Sequence, residues 1–181
     1  MRGILVFIYE VFKIFVIALL IVIPIRYFIF QPFVVNGESM EPNFHNGDYL
    51  VVDEISYRLR EPQRGEVIIF RSPIDPSKRF IKRIIGLPGE TIEIKGGYVF
   101  LIESGELQRI NELSYLSKDI ETMGDIETSL GHDEYFVLGD NRSRSLDSRK
   151  IGLISGKDII GRAVFRAWPL DDFARLEVPT Y

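Results

Sequence analysis

Arg79-Phe80-Ile81-Lys82-Arg83-Ile84-Ile85-Gly86-Leu87-Pro88-Gly89 is the stretch on which the reading of this chain turns. Alternation with a period of two puts Phe80, Lys82 and Ile84 on one face of a strand and Arg79, Ile81, Arg83 and Ile85 on the other. Leu87-Pro88-Gly89 then stops the run with turn chemistry. One face carries a single lysine between two apolar neighbours. Burial of that face would disfavour the ammonium and bring the amine towards the pKa of about 7 to 8 that suits a general base. Arginine could not serve, because it stays protonated. The competing reading is an edge-strand lysine that discourages aggregation.

The same β-rich grammar extends in both directions. Short runs at Phe33-Val35, Tyr49-Val52, Glu66-Phe70, Thr91-Ile94, Tyr98-Ile102, Leu107-Ile110, Tyr135-Leu138 and Asp158-Ala167 are separated by Gly, Pro, Asn and Asp. They predict a mainly β, antiparallel domain over residues 31–181. The polar stretch of about 95–133 holds a hairpin and reads as a small inserted lobe. No fixed-period repeat is visible.

Ahead of this lies an apolar segment, Ile4 to Phe30, interrupted by Tyr9, Glu10, Lys13, Pro24, Arg26 and Tyr27. A bilayer-spanning helix needs about 20 apolar residues, so a span must include charged neighbours of the uncharged run Ile14–Ile25. Glu10 and Lys13, three apart, share a helical face, and Arg26 and Lys13 can snorkel. A cleavable secretory signal competes, but no small-x-small site follows Ile25. A buried core helix would be apolar on one stripe, not all round. Residues 1–30 are therefore predicted to form an uncleaved membrane anchor. The flanking charges orient it only weakly.

Composition narrows the function. The 181 residues carry 22 Lys and Arg against 26 Asp and Glu, a net charge of −4. No basic surface for collecting phosphates is implied, so nucleic acid is not an expected partner. The absence of cysteine removes disulfides, thiolate metal sites and cysteine nucleophiles. Two histidines, His45 and His132, make a histidine metal site an unpromising reading, and neither metal nor cofactor is expected.

Two further clusters bear on chemistry. Ser39 sits in Asn36-Gly37-Glu38-Ser39-Met40-Glu41-Pro42-Asn43, eleven residues after Phe28, within about 40 Å of the bilayer edge even if the chain is extended. On its own it reads as a turn or cap serine. Gly139-Asp140-Asn141-Arg142-Ser143-Arg144-Ser145-Leu146-Asp147-Ser148-Arg149 follows a strand-like run. It reads either as a solvated turn or as a paired Asp/Arg network beside an active site.

Together, Pro32-Phe33, Ser39-Met40-x-Pro42, Arg64-Gly65-Glu66-Val67-Ile68-Ile69-Phe70, Phe80 to Gly89, Gly139-Asp140-Asn141-Arg142 and Ser145-x-Asp147-Ser148-Arg149 resemble the bacterial type I signal peptidases, membrane-bound Ser/Lys serine endopeptidases. The likeness covers nearly the whole chain. It implies Ser39 as nucleophile, Lys82 as general base, Ser145 orienting the amine, and an Asp147–Arg149 ion pair in support. The Ser39 N–H would donate to the oxyanion. Gly37 stands where some relatives place a second, hydroxyl donor. Phe33, Val35, Asn36, Met40, Phe44, Phe80 and Ile81 would line shallow pockets for the small residues of a signal peptide, held as an added strand. Several of these also read as plain core residues.

The resemblance further implies secretory preproteins as substrates, membrane lipid and the export translocon as neighbours, and a single-pass protein whose catalytic domain lies outside the bacterial cytoplasmic membrane. A Ser-His-Asp arrangement, a self-cleaving soluble Ser/Lys protease and a membrane-tethered, non-enzymatic β-rich binding module are the alternatives.

Overall fold

A computed structural model describes residues 2–28, 30–179 and 181, with the side chains of 2, 5 and 23–31 outside the description. An N-terminal helix, α1 (Arg2–Phe28), is followed by β1 (Phe30–Val34), β2 (Tyr49–Asp53) and a single turn, α2 (Ser56–Leu59). The chain continues through β3 (Val67–Arg71), β4 (Arg79–Gly86), β5 (Thr91–Lys95), β6 (Tyr98–Glu103), β7 (Glu106–Arg109), β8 (Ile126–Ser129) and β9 (Glu134–Leu138). It ends with α3 (Ser148–Ile151), β10 (Ile154–Ser155), β11 (Ile159–Trp168) and β12 (Ala174–Arg175).

The large sheet runs β1-β2-β11-β3-β4-β9-β10, with β12 also paired to β11, and the small one runs β7-β6-β5-β8. All strand pairs among the described residues are antiparallel. The mainly β, antiparallel expectation matches. Strand β1 starts at Phe30, inside the segment assigned to the anchor, because its backbone pairs with β2 from Phe30↔Asp53 onward. The small sheet starts at Thr91, ahead of the expected insertion, because β5 pairs with β6 and β8.

Three clusters form the core. Val35, Met40, Phe44, Leu50, Val52 and Ile69 pack at the β1-β2-β11 end. Ile68, Phe70, Ile84, Val137 and Ile154 pack at the centre of the large sheet. Ile85, Phe136 and Leu138 of that sheet share a third cluster with Ile92, Ile94, Val99 and Leu101 of the small one. The small sheet thus buries its apolar face against β4 and β9, the strands that carry the site, and the shared burial fixes the two sheets together.

Helix α1 carries the Glu10–Lys13 pair at 2.8 Å, and its described apolar side chains, Phe7, Phe12 and Leu20 among them, are exposed except for the half-buried Val16. Among the described residues no helix is long and apolar enough to cross a membrane.

Candidate active site

Strand β4 lies between β3, with Ile68 opposite Lys82, and β9, with Leu138 opposite Arg83. From Ile81 to Gly86 every residue is buried, on both faces. The alternation suggested one buried face. The second is covered because Tyr115 lies over the Arg83 guanidinium at 4.1 Å. Asp140 accepts from Arg83 Nε at 2.9 Å and Nη2 at 2.6 Å.

Lys82 is 3% exposed. Its Nζ lies 2.7 Å from Ser39 Oγ and 2.7 Å from the Ile81 carbonyl oxygen. Burial pushes the amine down to about 8, against the opposing pull of the Asp147 and Asp140 carboxylates. A lysine at that value is substantially neutral just above physiological pH.

The Ser39 turn is built by local bonds, with Gly47 N–H donating to the Val35 carbonyl and Phe44 N–H to that of Met40. Gly37 adopts φ +94°, a conformation that favours glycine, and its N–H donates to Asn46 Oδ1 at 2.8 Å. The 139–149 loop is tied to this turn by Asn141 N–H donating to the Ser39 carbonyl at 3.0 Å. Asn43 spans further, its Nδ2 donating at 2.8 Å both to Asp140 Oδ2 and to the Tyr115 carbonyl.

Asp147 is fully buried and takes a two-pronged bond from Arg149, Nε to Oδ1 and Nη2 to Oδ2, each at 2.8 Å. It also accepts the Gly139 N–H and caps α3 through the Arg149 N–H. Burial works against the carboxylate, but the Arg149 pairing and these other bonds hold it below the usual range. Ser145 is buried with no hydrogen-bond partner of good geometry for its Oγ. A loose approach to Asp147 adds to the lowering of that carboxyl. The expected bond from Ser145 to the lysine amine is thus not formed in this structure.

A cavity of about 240 Å³ brings Ser39 and Lys82 together with Phe33, Asn36, Gly37, Phe80 and Ile81. Val35, Met40 and Phe44 do not line it. All three are buried in the core beneath the Ser39 turn, where the alternation after Pro32 and the local turn direct their side chains. Glu38, Arg79, Arg144 and Leu146 line it without having been singled out as site residues. Their only sequence signal was adjacency to Ser39, Phe80 and Ser145. A larger cavity, about 630 Å³, lies around Tyr57, Arg60 and Tyr135 and contains neither Ser39 nor Lys82. His45 and His132 are exposed and border no part of the Ser39 cavity.

The buried network beyond the cavity was only partly foreseeable. Asp147–Arg149 is internal to the 139–149 loop, but Asp140 pairs with Arg83 on β4. Arg142 pairs with Glu112 of the small sheet's connecting segment and also reaches Thr122.

Residues 8–168 match the family described as signal peptidase, peptidase S26. Signal peptidase I P of Bacillus subtilis subsp. natto is 35% identical over 164 residues, which cover 88% of this chain and 88% of that one. Signal peptidase I of Leptolyngbya laminosa is 36% identical over 170 residues, 90% of this chain and 80% of its own. The crystal structure of a signal peptidase I from Enterococcus faecalis V583 aligns with 57% of this chain and 97% of that one, at 31% identity and a TM-score of 0.47. With a buried amine against a serine hydroxyl in a narrow cleft, and a family match spanning most of the sequence, the chain belongs to the signal peptidase family, the S26 serine peptidases.

Proposed function

We propose that this protein is a signal peptidase I that hydrolyses the bond releasing N-terminal signal peptides from secreted precursors, with Ser39 as nucleophile and Lys82 as general base. The observation that carries this is the 2.7 Å approach of a buried Nζ to Ser39 Oγ. In the neutral form, Nζ takes the hydroxyl proton as Oγ attacks the scissile carbonyl carbon. The resulting ammonium then protonates the leaving amine as the acyl-enzyme forms. Water, deprotonated by the same amine, hydrolyses the ester and restores Ser39. The Ser39 N–H is the oxyanion donor in this scheme, and Gly37 leaves the second donor to a backbone group or water.

The substrate lies as an added strand against β4. Strand β9 pairs with β4 only from Arg83 onward, so the edge from Arg79 to Lys82 is open on the side away from β3. Phe33, Asn36, Phe80 and Ile81 form shallow walls that admit small residues before the scissile bond. The Asp147 and Asp140 carboxylates set the electrostatics around Lys82, with Arg149 holding Asp147 and Ser145 packed in the same loop as supporting residues. In this reading the apolar N-terminal segment ahead of β1 is the membrane anchor, and the domain from Phe30 onward is the catalytic part outside the bacterial cytoplasmic membrane, with the small sheet as its lobe. Lipid and the export translocon are its neighbours, and no nucleic acid or cofactor takes part.

Incubating purified wild type, Ser39→Ala and Lys82→Ala with a secretory precursor tests this. Cleavage by wild type after the signal peptide, fixed by sequencing the new N-terminus, and its loss in both variants is the expected result. Unchanged processing by either variant would refute the mechanism.

A further inference from the structure

Arg79 and Arg71 stand directly opposite each other across β3 and β4, both exposed. Like charges in that position repel. Among the described residues neither lies within ion-pair distance of a carboxylate. The nearby Asp75 is taken by Lys78 at 3.2 Å. Arg144, the other arginine of the Ser39 cavity, is paired with Glu38 and lies in the field of Glu41. Among the described residues of the cavity wall, Arg79 is thus the arginine without a carboxylate partner, with Arg71 standing behind it. A repulsive pair at the mouth of a cleft costs stability and becomes favourable only when an anion arrives between or beside the two.

The open β4 edge fixes where that anion would be. Phe80 and Ile81, the pocket residues, lie between Lys82 and Arg79 along the strand. A substrate whose small residues face Phe80 and Ile81 must continue past Arg79 on the signal-peptide side. At about 3.3 Å per residue, Arg79 meets the substrate about four to six residues before the scissile bond.

We propose that Arg79 is a specificity-determining residue, which favours an acidic side chain and disfavours a basic one about four to six positions ahead of the cleaved bond. The assignment rests on the peptidase reading above. An anionic lipid headgroup is the rival ligand for the same charge.

The test uses the full chain in neutral detergent at pH 9, where Lys82 is largely uncharged. Precursor peptides carry Asp, Asn or Lys placed in turn four, five and six residues before the bond. Wild type is expected to show kcat/KM for Asp over Lys about two- to fivefold higher at one or more of these positions in low salt, the range for exposed ion pairs. The ratio should fall in 0.5 M salt, since screening at that strength is short-ranged. Arg79→Gln should bring it to about one, and Arg79→Lys should retain it. Cleavage of the Asn peptides with no Asp/Lys difference overturns the inference while leaving the peptidase reading intact. An unchanged ratio in Arg79→Gln overturns it likewise. Cleavage of no peptide ends both. Repeating the assay with phosphatidylcholine vesicles, with and without phosphatidylglycerol, separates the rival. If the peptide ratio is absent and the Arg79→Gln rate falls only with phosphatidylglycerol, the arginine meets lipid and the proposal is wrong.

Discussion

Gly139 and Ser145 are packed so closely that a methyl group on Gly139 would sit 2.3 Å from Ser145 Oγ, and 2.4 Å from the carbonyl oxygen of Ser39. Glycine at 139 is thus what allows the 139–149 loop to lie against the Ser39 turn. Both neighbours are constrained, since the Ser39 carbonyl accepts from Asn141 N–H and Ser145 is buried.

Gly139→Ala should therefore push the two loops apart. A loss of about 1–3 kcal/mol is expected, the usual cost of overpacking. Precursor cleavage should fall far more steeply than stability, because the displaced group is the nucleophile's own backbone. Urea melts and initial rates on one preparation separate the two effects.

The activity should rise with pH through about 8, where the Lys82 amine loses its proton, and then level off. Stability should rise over the window just above that midpoint. The folded-state value lies below the unfolded value of 10.5, so between about 8 and 10.5 the unfolded chain binds more protons, and stability rises with pH there. Below about 8 the full cost of burying the ammonium, about 3 kcal/mol, is present. Lys82→Met should be more stable than wild type at pH 7 and lose most of that advantage by pH 10.5. A constant difference across that range, measured by denaturant melts, would show that the amine titrates normally.

Asp147→Asn removes one carboxylate that raises the Lys82 value, so the midpoint of the pH–rate profile should move below 8. It also strands the Arg149 guanidinium, only 8% exposed, with a predicted loss of about 3–5 kcal/mol. A profile whose midpoint stays put while stability falls would assign Asp147 to folding alone.

Glu112→Ala tests the tie between the small sheet and the catalytic loop. Arg142, with a side chain 1% exposed, would lose its carboxylate partner. A cost of about 3–5 kcal/mol is expected from the uncompensated charge, read as a lower melting temperature. Glu112→Gln, which keeps an acceptor, should recover part of it.

The period-two runs made the principal strands legible, because each has one side chain per face and turn-forming residues at its ends. Three short strands had no such signal. Ile126–Ser129 is alternately half-buried and exposed, while Ile154–Ser155 and Ala174–Arg175 are two residues each. Their pairing is set by β5, β9 and β11, already in place. Val35, Met40 and Phe44 show the same limit from the other side. Sequence put them near Ser39, but whether an apolar side chain near a nucleophile faces the cleft or the core depends on the turn that connects them.

The residues alone determined the chemical inventory: a hydroxyl at 39, an amine alone among apolar neighbours at 82, and a loop of arginines and aspartates. Tertiary structure decided which of them meet. Ser39 and Lys82 are 43 positions apart, and only the pairing of β4 between β3 and β9 brings Nζ to Oγ. Burial of both faces of that strand is equally a property of the assembled sheets. It lowers the amine's pKa and makes Arg83 depend on Asp140, since a charge withdrawn from water needs a partner that no local pattern supplies.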